Sequence, residues 1–344
     1  MRTVPLGKTG LSVSSVAFGG IPIMRLSEAD AVHVVGRCIE LGATFIDTAH
    51  AYSTSEARIG KALAQRPTVR QGLVLATKSG ARDGATFSAH LENSFGKLGV
   101  DHIDLLQFHN ISTPEHLEQV LAPGGPLDLA REALSAGRIG HIGVTSHNLG
   151  MAIELVKLGH FETMMFPFNY IGREPAEELL PLCKAHGVGF IAMKPMGGGM
   201  LDNATLSFKW LRQFSAAIPV VGIETSAEIE EIVGIANAAE PLTDAERAEI
   251  ERLVAELGNR FCRSCDYCQP CPQEIAISRI LRIQSFAKRM PPEKILGPWD
   301  ESVATAESCL ECGECESRCP YGLPIREMLK DSAAWYHEQV AASA

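Results

Sequence analysis

The chain has few aromatic residues, 6% of its 344, and no excess of positive charge. Its 31 Lys and Arg stand against 41 Asp and Glu, for a net charge of −10. That balance argues against a surface that holds nucleic acid or an anionic membrane. No apolar run reaches the roughly 18 residues that suggest a membrane span. Low-complexity tracts are absent too. The opening MRTVPLGKTG has no secretion-signal pattern, so the expected location is cytoplasmic and disulfides are not expected. No G-x-G-x-x-G follows the first apolar strand, which continues as AFGGIPIMRLS. An open, doubly wound nucleotide-binding sheet would want that loop. Cysteine is scarce before residue 262: only Cys38 and Cys183, on helical patterns where a buried structural thiol is expected.

The other eight cysteines fall in two tight runs. The first is Cys262, Cys265, Cys268 and Cys271, followed by Pro272; the second is Cys309, Cys312, Cys315 and Cys319, followed by Pro320. The second run has the bacterial iron–sulfur spacing of three close thiolates, a fourth after a short gap, and proline; the first is one residue shorter before its fourth cysteine. Structural zinc also takes Cys-x2-Cys pairs, but it has no use for four thiols in so short a run, twice. Disulfide geometry cannot be met by all of them either. In two-cluster ferredoxins the fourth cysteine of each run serves the other cluster. That rule gives one [4Fe–4S] cluster to Cys262, Cys265, Cys268 and Cys319, and a second to Cys309, Cys312, Cys315 and Cys271.

Upstream, short apolar runs alternate with amphipathic helical stretches. The strand candidates are SVAFGG, TFIDTA, LVLATKS, HIDLLQFH, HIGVTS, TMMFPFN, GFIAMK and IPVVGI. They are apolar on nearly every position, as strands covered on both faces are. Eight strand–helix units predict a (β/α)8 TIM barrel, preceded by a hairpin turned at Gly7–Gly10. Thr243 and Glu246 predict a capping box ahead of one more helix. The barrel is expected over residues 1–258. A small helical, ferredoxin-like iron–sulfur domain is expected over residues 259–344, with the helical insert SRILRIQSFAKRM between its cysteine runs. The stretch NISTPEHLEQVLAPGG reads as a loop.

In such a barrel, chemistry gathers at the C-terminal ends of the strands. Asp47 closes the second strand, with Tyr52 five positions on; Lys78 ends the third and His109 the fourth. Each alone has an ordinary structural use. Together they form a proton-donating set. A phenol is a slow acid at neutral pH; an adjacent ammonium favours phenolate, and a carboxylate holds the ammonium in place. A histidine beside the phenol hydrogen-bonds a carbonyl or relays the proton. The set can polarise a C=O for hydride attack.

The stretches LGKTGLSVSSVAFGG, GATFIDTAHAYSTSEARIGKAL, LATKS, IDLLQFH and IGHIGVTSHN resemble the aldo/keto reductase family. With FCRSCDYCQPCPQEIAI and SCLECGECESRCPYGLPI, nearly the whole chain resembles the branch with a C-terminal ferredoxin-like domain. The resemblance implies a catalytic tetrad of Asp47, Tyr52, Lys78 and His109, with Tyr52 as general acid. It also implies a nicotinamide cofactor, NAD(H) or NADP(H), extended across the barrel mouth. The family's Ser and Asn at the carboxamide fall on Ser146 and on His147 or Asn148, and Asn169 matches a polar position. The family's glutamine is Met165 here, and its ring-stacking aromatic is Met193. Gly197, Gly198 and Gly199 form a loop able to approach a pyrophosphate. Glu224 and Glu228 stand where NADPH-dependent members place a base; a carboxylate repels a 2′-phosphate and accepts from a ribose hydroxyl.

The expected function is therefore an oxidoreductase acting on a small carbonyl or alcohol, with two iron–sulfur clusters passing electrons to or from a redox protein. Hydride carries two electrons and a cluster one, and no flavin motif joins them. Two other functions fit the same residues: an electron-transfer subunit on a degenerate barrel, and a redox-neutral isomerase or epimerase that retains its nicotinamide.

Overall fold

The computed structural model describes residues 1–343. A hairpin opens it: β1 (Thr3–Pro5) pairs antiparallel with β2 (Ser12–Ser14) across the expected glycine turn. Eight parallel strands then close into a barrel. They are β3 (Ala17–Gly19), β4 (Phe45–Asp47), β5 (Val74–Ser79), β6 (Ile103–Phe108), β7 (Ile139–Thr145), β8 (Thr163–Pro167), β9 (Gly189–Met193) and β10 (Ala217–Gly222). β10 pairs with β3, so no strand edge is left open.

Each strand overlaps one of the eight predicted segments; β7 starts two residues before HIGVTS and β10 one residue before IPVVGI. Side chains of Phe45, Leu105, Met165, Ile191 and Ile218 fill the barrel's interior together with Leu6 and Val13 of the hairpin. The hairpin thus plugs one end, and the amide of Lys8 donates to Gly187 O at 2.8 Å. The plug leaves the other end, where the strands finish, for chemistry. A larger shell of apolar residues packs the helices onto the outside. Several helices stop at left-handed glycines, Gly99, Gly159 and Gly187 among them. The capping box at Thr243 and Glu246 starts the helix Asp244–Leu257 as expected.

Two elements differ from the sequence reading. Within NISTPEHLEQVLAPGG the segment Pro114–Leu121 is helical; Thr113 caps it and Pro114 occupies its first turn. That is a start signal in plain view, on a helix only two turns long. The chain also continues beyond the second cysteine run as one long helix, Ile325–Ser343.

The C-terminal region has a core of its own. Ile275, Ile280, Trp299, Val303, Leu329 and Tyr336 pack there with Cys268 and Cys315, separate from the barrel's shell. Tyr336 on the long helix ties it together: its hydroxyl donates to Asp300 Oδ1 at 2.6 Å and accepts from the Gly297 amide at 2.9 Å. None of the described helices is long and apolar enough to cross a membrane.

Candidate active site and cluster site

Asp47, Lys78 and His109 reach one place because each ends, or directly follows, its strand. Asp47 is the last residue of β4, Lys78 the penultimate residue of β5, and His109 the residue after β6. Lys78 Nζ donates to Asp47 Oδ2 at 2.5 Å and to Thr48 O at 2.7 Å. Both charged side chains are buried, Asp47 at 3% exposure and Lys78 at 1%. Gln107, a buried residue of β6, donates to the other Asp47 oxygen at 3.0 Å. Burial alone would lower the Lys78 pKa; the facing Asp47 carboxylate and Tyr52 outweigh it and hold the ammonium above its ordinary value. The Lys78 ammonium sits 4.9 Å from the centre of the Tyr52 ring. The His109 ring meets Tyr52 edge-on, 5.7 Å between centres. Burial, with Lys78, Arg82 and Lys194 nearby, pushes His109 down to about 3. At neutral pH it is therefore an uncharged hydrogen-bonding group beside the phenol.

The ion pair makes a stability prediction. Lys78→Met leaves a buried carboxylate with Gln107 as its remaining side-chain donor, and breaking a buried pair from one side costs about 3–5 kcal/mol. The denaturant midpoint should fall accordingly, and adding Asp47→Asn should recover part of the loss. A Lys78→Met chain as stable as the parent would show that Asp47 takes up a proton at little cost.

A cleft of about 430 Å³ opens from Tyr52 and Asp47. Met165, Met193, Lys194, Gly198, Gly199, Glu224, Glu228 and Arg289 are among its lining residues. The sequence-derived cofactor positions divide here. Met193 and Glu224 face the cleft, and Glu224 lies 3.3 Å from Arg25. Glu228 also lines it, but its carboxylate caps a helix, accepting from the amides of Glu224 at 2.7 Å and Thr225 at 3.0 Å. Ser146 is buried and accepts from the Asn148 amide at 3.2 Å. Asn148 caps the helix Leu149–Leu158 and holds Cys265 O at 3.2 Å. Asn169 spends its side chain on its own loop, bonding the amides of Ile171 and Gly172 and the carbonyl of Lys194.

Two of the three glycines, Gly198 and Gly199, dock the C-terminal region on the barrel mouth. Ser285 Oγ donates to Gly198 O at 3.0 Å, and Lys288 Nζ to Gly199 O at 2.7 Å. Gly198 has φ +69°, and a Cβ there would come within 2.9 Å of Ser285 Oγ. A side chain would thus push the insert away. Arg25 bonds Lys288 O, and Arg263 bonds Ile171 O at 3.1 Å. The cysteine-bearing region therefore supplies one wall of the cleft.

Sequence reasoning missed Lys194, Gln107 and Arg289. Lys194 directly follows β9 in a left-handed backbone conformation, φ +57°, uncommon for a residue with a side chain. Its ammonium lies 2.9 Å from His147 Nε2. Gln107 had a signal in its position two residues before His109, facing the same interior. Arg289 had none, because only docking brings it to the barrel.

No two of the ten cysteines are joined in a disulfide, and Cys38 and Cys183 are buried as expected. The eight others ring two spaces rather than converge on points. One is lined by Cys262, Cys265, Cys268 and Cys319. The other is lined by Cys271, Cys309, Cys312 and Cys315, with Cys268 on its border. Left-handed residues Ser264, Asp266 and Glu311 curl the loops around them, and the Glu311 amide points at Cys309 Sγ from 3.4 Å. Four sulfurs about an apolar space, with amides turned toward sulfur, suit a cubane.

Comparison with known proteins agrees. Residues 15–209 match the model of the aldo/keto reductase family. The chain belongs to that family. Residues 261–324 match a 4Fe-4S dicluster domain. Among relatives, the L-galactose dehydrogenase of Arabidopsis thaliana is 31% identical over 214 residues, 58% of this chain and 66% of that protein. An uncharacterized oxidoreductase of Bacillus subtilis, YqkF, is 28% identical over 220 residues, 60% of this chain and 68% of that one. The chain thus spans about two thirds of the length of these relatives. The aldo-keto reductase AKR11C1 of Bacillus halodurans, solved in its holo form, superposes with a TM-score of 0.62 at 25% identity, covering 74% of this chain and 96% of that one.

Proposed function

We propose that this aldo/keto reductase reduces a small carbonyl compound, or oxidises the matching alcohol, with NAD(H) or NADP(H) in the cleft. The observation that carries the reading is the assembly of Asp47, Lys78, Tyr52 and His109 at one barrel mouth beside a cleft of about 430 Å³. Met193, Met165 and Val220 offer an apolar wall to a flat ring, and Glu224 an acceptor to a ribose hydroxyl. Ser146, Asn169 and the loop Gly197, Gly198 and Gly199 shape the same end of the barrel.

A bound reduced nicotinamide supplies the hydride. The chain supplies the proton and the field. Tyr52 donates its hydroxyl proton to the carbonyl oxygen. Lys78, fixed by Asp47, favours the phenolate that remains, and neutral His109 orients the carbonyl by a hydrogen bond. Oxidation of the alcohol uses the same groups in reverse.

The two cysteine sets fit [4Fe–4S] clusters, one held by Cys262, Cys265, Cys268 and Cys319, the other by Cys309, Cys312, Cys315 and Cys271. Clusters there provide one-electron chemistry, and their partner is a redox protein. The net charge of −10 disfavours nucleic acid and anionic membrane as partners.

The test is turnover by anaerobically reconstituted protein, with dissociation constants for both nicotinamides. Glu224 predicts tighter NADH than NADPH, because the cleft carboxylate repels a 2′-phosphate. Glu224→Gln should narrow the difference. Tighter NADPH in the parent would mean that Arg25 swings from Glu224 to the phosphate. No binding of either would remove the enzymatic reading altogether.

A further inference from the structure

Lys194, Arg282 and Arg289 gather at the barrel mouth, two of them from the docked C-terminal region. None has a carboxylate within 4.0 Å among the described residues. This is unusual in a chain with ten more acidic than basic side chains (41 against 31). Of the other cations at this mouth, Lys78 is paired with Asp47 and Arg25 with Glu224, and Lys288 is spent on the Gly199 carbonyl.

The polar contacts of the three show how they are aimed. Asn110 Oδ1 accepts from Ser112 Oγ at 2.7 Å and faces His147 Nδ1 at 3.0 Å. The proton of His147 therefore sits on Nδ1, and Nε2 accepts from Lys194. That leaves Lys194 with further N–H groups at the cleft. Arg289 donates from Nε to Ser285 O at 2.8 Å and from one terminal nitrogen to Ser285 Oγ at 3.1 Å. The second terminal nitrogen is uncommitted. Arg282 lies over Phe286, its guanidinium carbon 4.7 Å from the ring centre, and its buried Nε has no acceptor. It shares a small cavity with Cys262 and Lys194; Lys194 also lines, with Arg289, the cleft of Tyr52.

Cations held in a half-dry site without counter-charges cost stability unless a ligand completes them. Arg282 faces the cysteine loop, in the small cavity that Cys262 and Lys194 also line. Lys194 and Arg289 face the space where a substrate meets Tyr52. Of the cleft's acidic residues, Asp47 and Glu224 are paired and Glu228 caps a helix; Asp202 and Glu231 pair with neither cation.

We propose that Lys194 and Arg289 form an anion subsite, so that the carbonyl compound reduced at Tyr52 carries a carboxylate or phosphate. The proposal rests on the reductase reading and deepens it. A guanidinium with a free edge suits such a group; burial and the neighbouring guanidiniums hold the Lys194 pKa well below its ordinary value, and a bound anion favours its ammonium form. The two cations also give the cysteine-bearing region a direct part in substrate choice.

The experiment compares succinic semialdehyde with butanal, and glyceraldehyde phosphate with glyceraldehyde, on the reconstituted full chain. At least one charged member should exceed its neutral partner in kcat/KM by about tenfold or more, the scale of one charge-assisted hydrogen bond. Arg289→Gln and Lys194→Met should each lower that ratio about tenfold, and Arg289→Lys should restore part of it. Ratios near one in the parent would overturn the proposal. NADH affinity is measured in the same variants. If the loss falls there with the ratio unmoved, the cations serve cofactor phosphates and the proposal is wrong. Calorimetry with succinate and with inorganic phosphate needs no turnover. Binding that weakens about tenfold in Arg289→Gln supports the subsite even if no aldehyde is reduced; binding equal in parent and variants sinks it.

Discussion

Tyr52→Phe should slow reduction of a carbonyl probe by at least about a hundredfold, the usual reach of a positioned general acid. The substitution removes one oxygen. The ring keeps its edge contact with His109 and its place beside the Lys78 ammonium. The Asp47–Lys78 pair does not depend on the hydroxyl, since Lys78 also bonds Thr48 O. Cofactor dissociation constants and iron content should therefore match the parent, so that the deficit appears in kcat. Steady-state rates with an activated aldehyde, beside cofactor titration on the same samples, separate the two. If the phenylalanine variant keeps pace with the parent, Tyr52 donates no proton. The tetrad is then a family relic, and the electron-transfer subunit becomes the better account of this chain.

The barrel was legible because its strands are buried on both faces. A segment such as VLATKS, buried at every position, cannot be mistaken for a loop or for an amphipathic strand. The tetrad was legible for a related reason. Strand ends in a barrel all point to one mouth, so Asp47, Lys78 and His109 were neighbours as soon as the strands were placed. The helix Pro114–Leu121 was passed over because two turns give too little periodicity to outweigh the Gly and Pro around them.

The rest of the site depends on contacts between distant parts of the chain. Nothing local in SRILRIQSFAKRM tells that Ser285 and Lys288 seat on the carbonyls of Gly198 and Gly199. The glycines were therefore read as a loop able to approach a pyrophosphate, without the docking, and Arg289 was not read as part of the mouth. Asn169 shows the opposite case. Its family position suggests a ligand contact, yet its oxygen and nitrogen are both engaged within the barrel loops. A motif gives the residue type, but its hydrogen-bond partners decide what remains free for a ligand.

The largest effect on the cluster region is expected from Cys319→Ser. Cys319 belongs by sequence to the second run, but it lines the same space as Cys262, Cys265 and Cys268. Cys271 belongs to the first run and lines the space of Cys309, Cys312 and Cys315. The parent should take up about eight iron and eight labile sulfide on reconstitution. Cys319→Ser should lose roughly half of each, and the lost half should be the cluster of the first run. Cys312→Ser, inside the second set, is the matching control and should spare that cluster. Electron paramagnetic resonance of the reduced proteins tells them apart, because two clusters so close couple their spins and a single one does not. The identity of the survivor follows from a third chain, Cys265→Ser. It should resemble Cys319→Ser in spectrum, since both lack a ligand to one cluster, and differ from Cys312→Ser. A Cys319→Ser spectrum that instead matches Cys312→Ser would mean each run binds its own cluster. The two loops would then be independent.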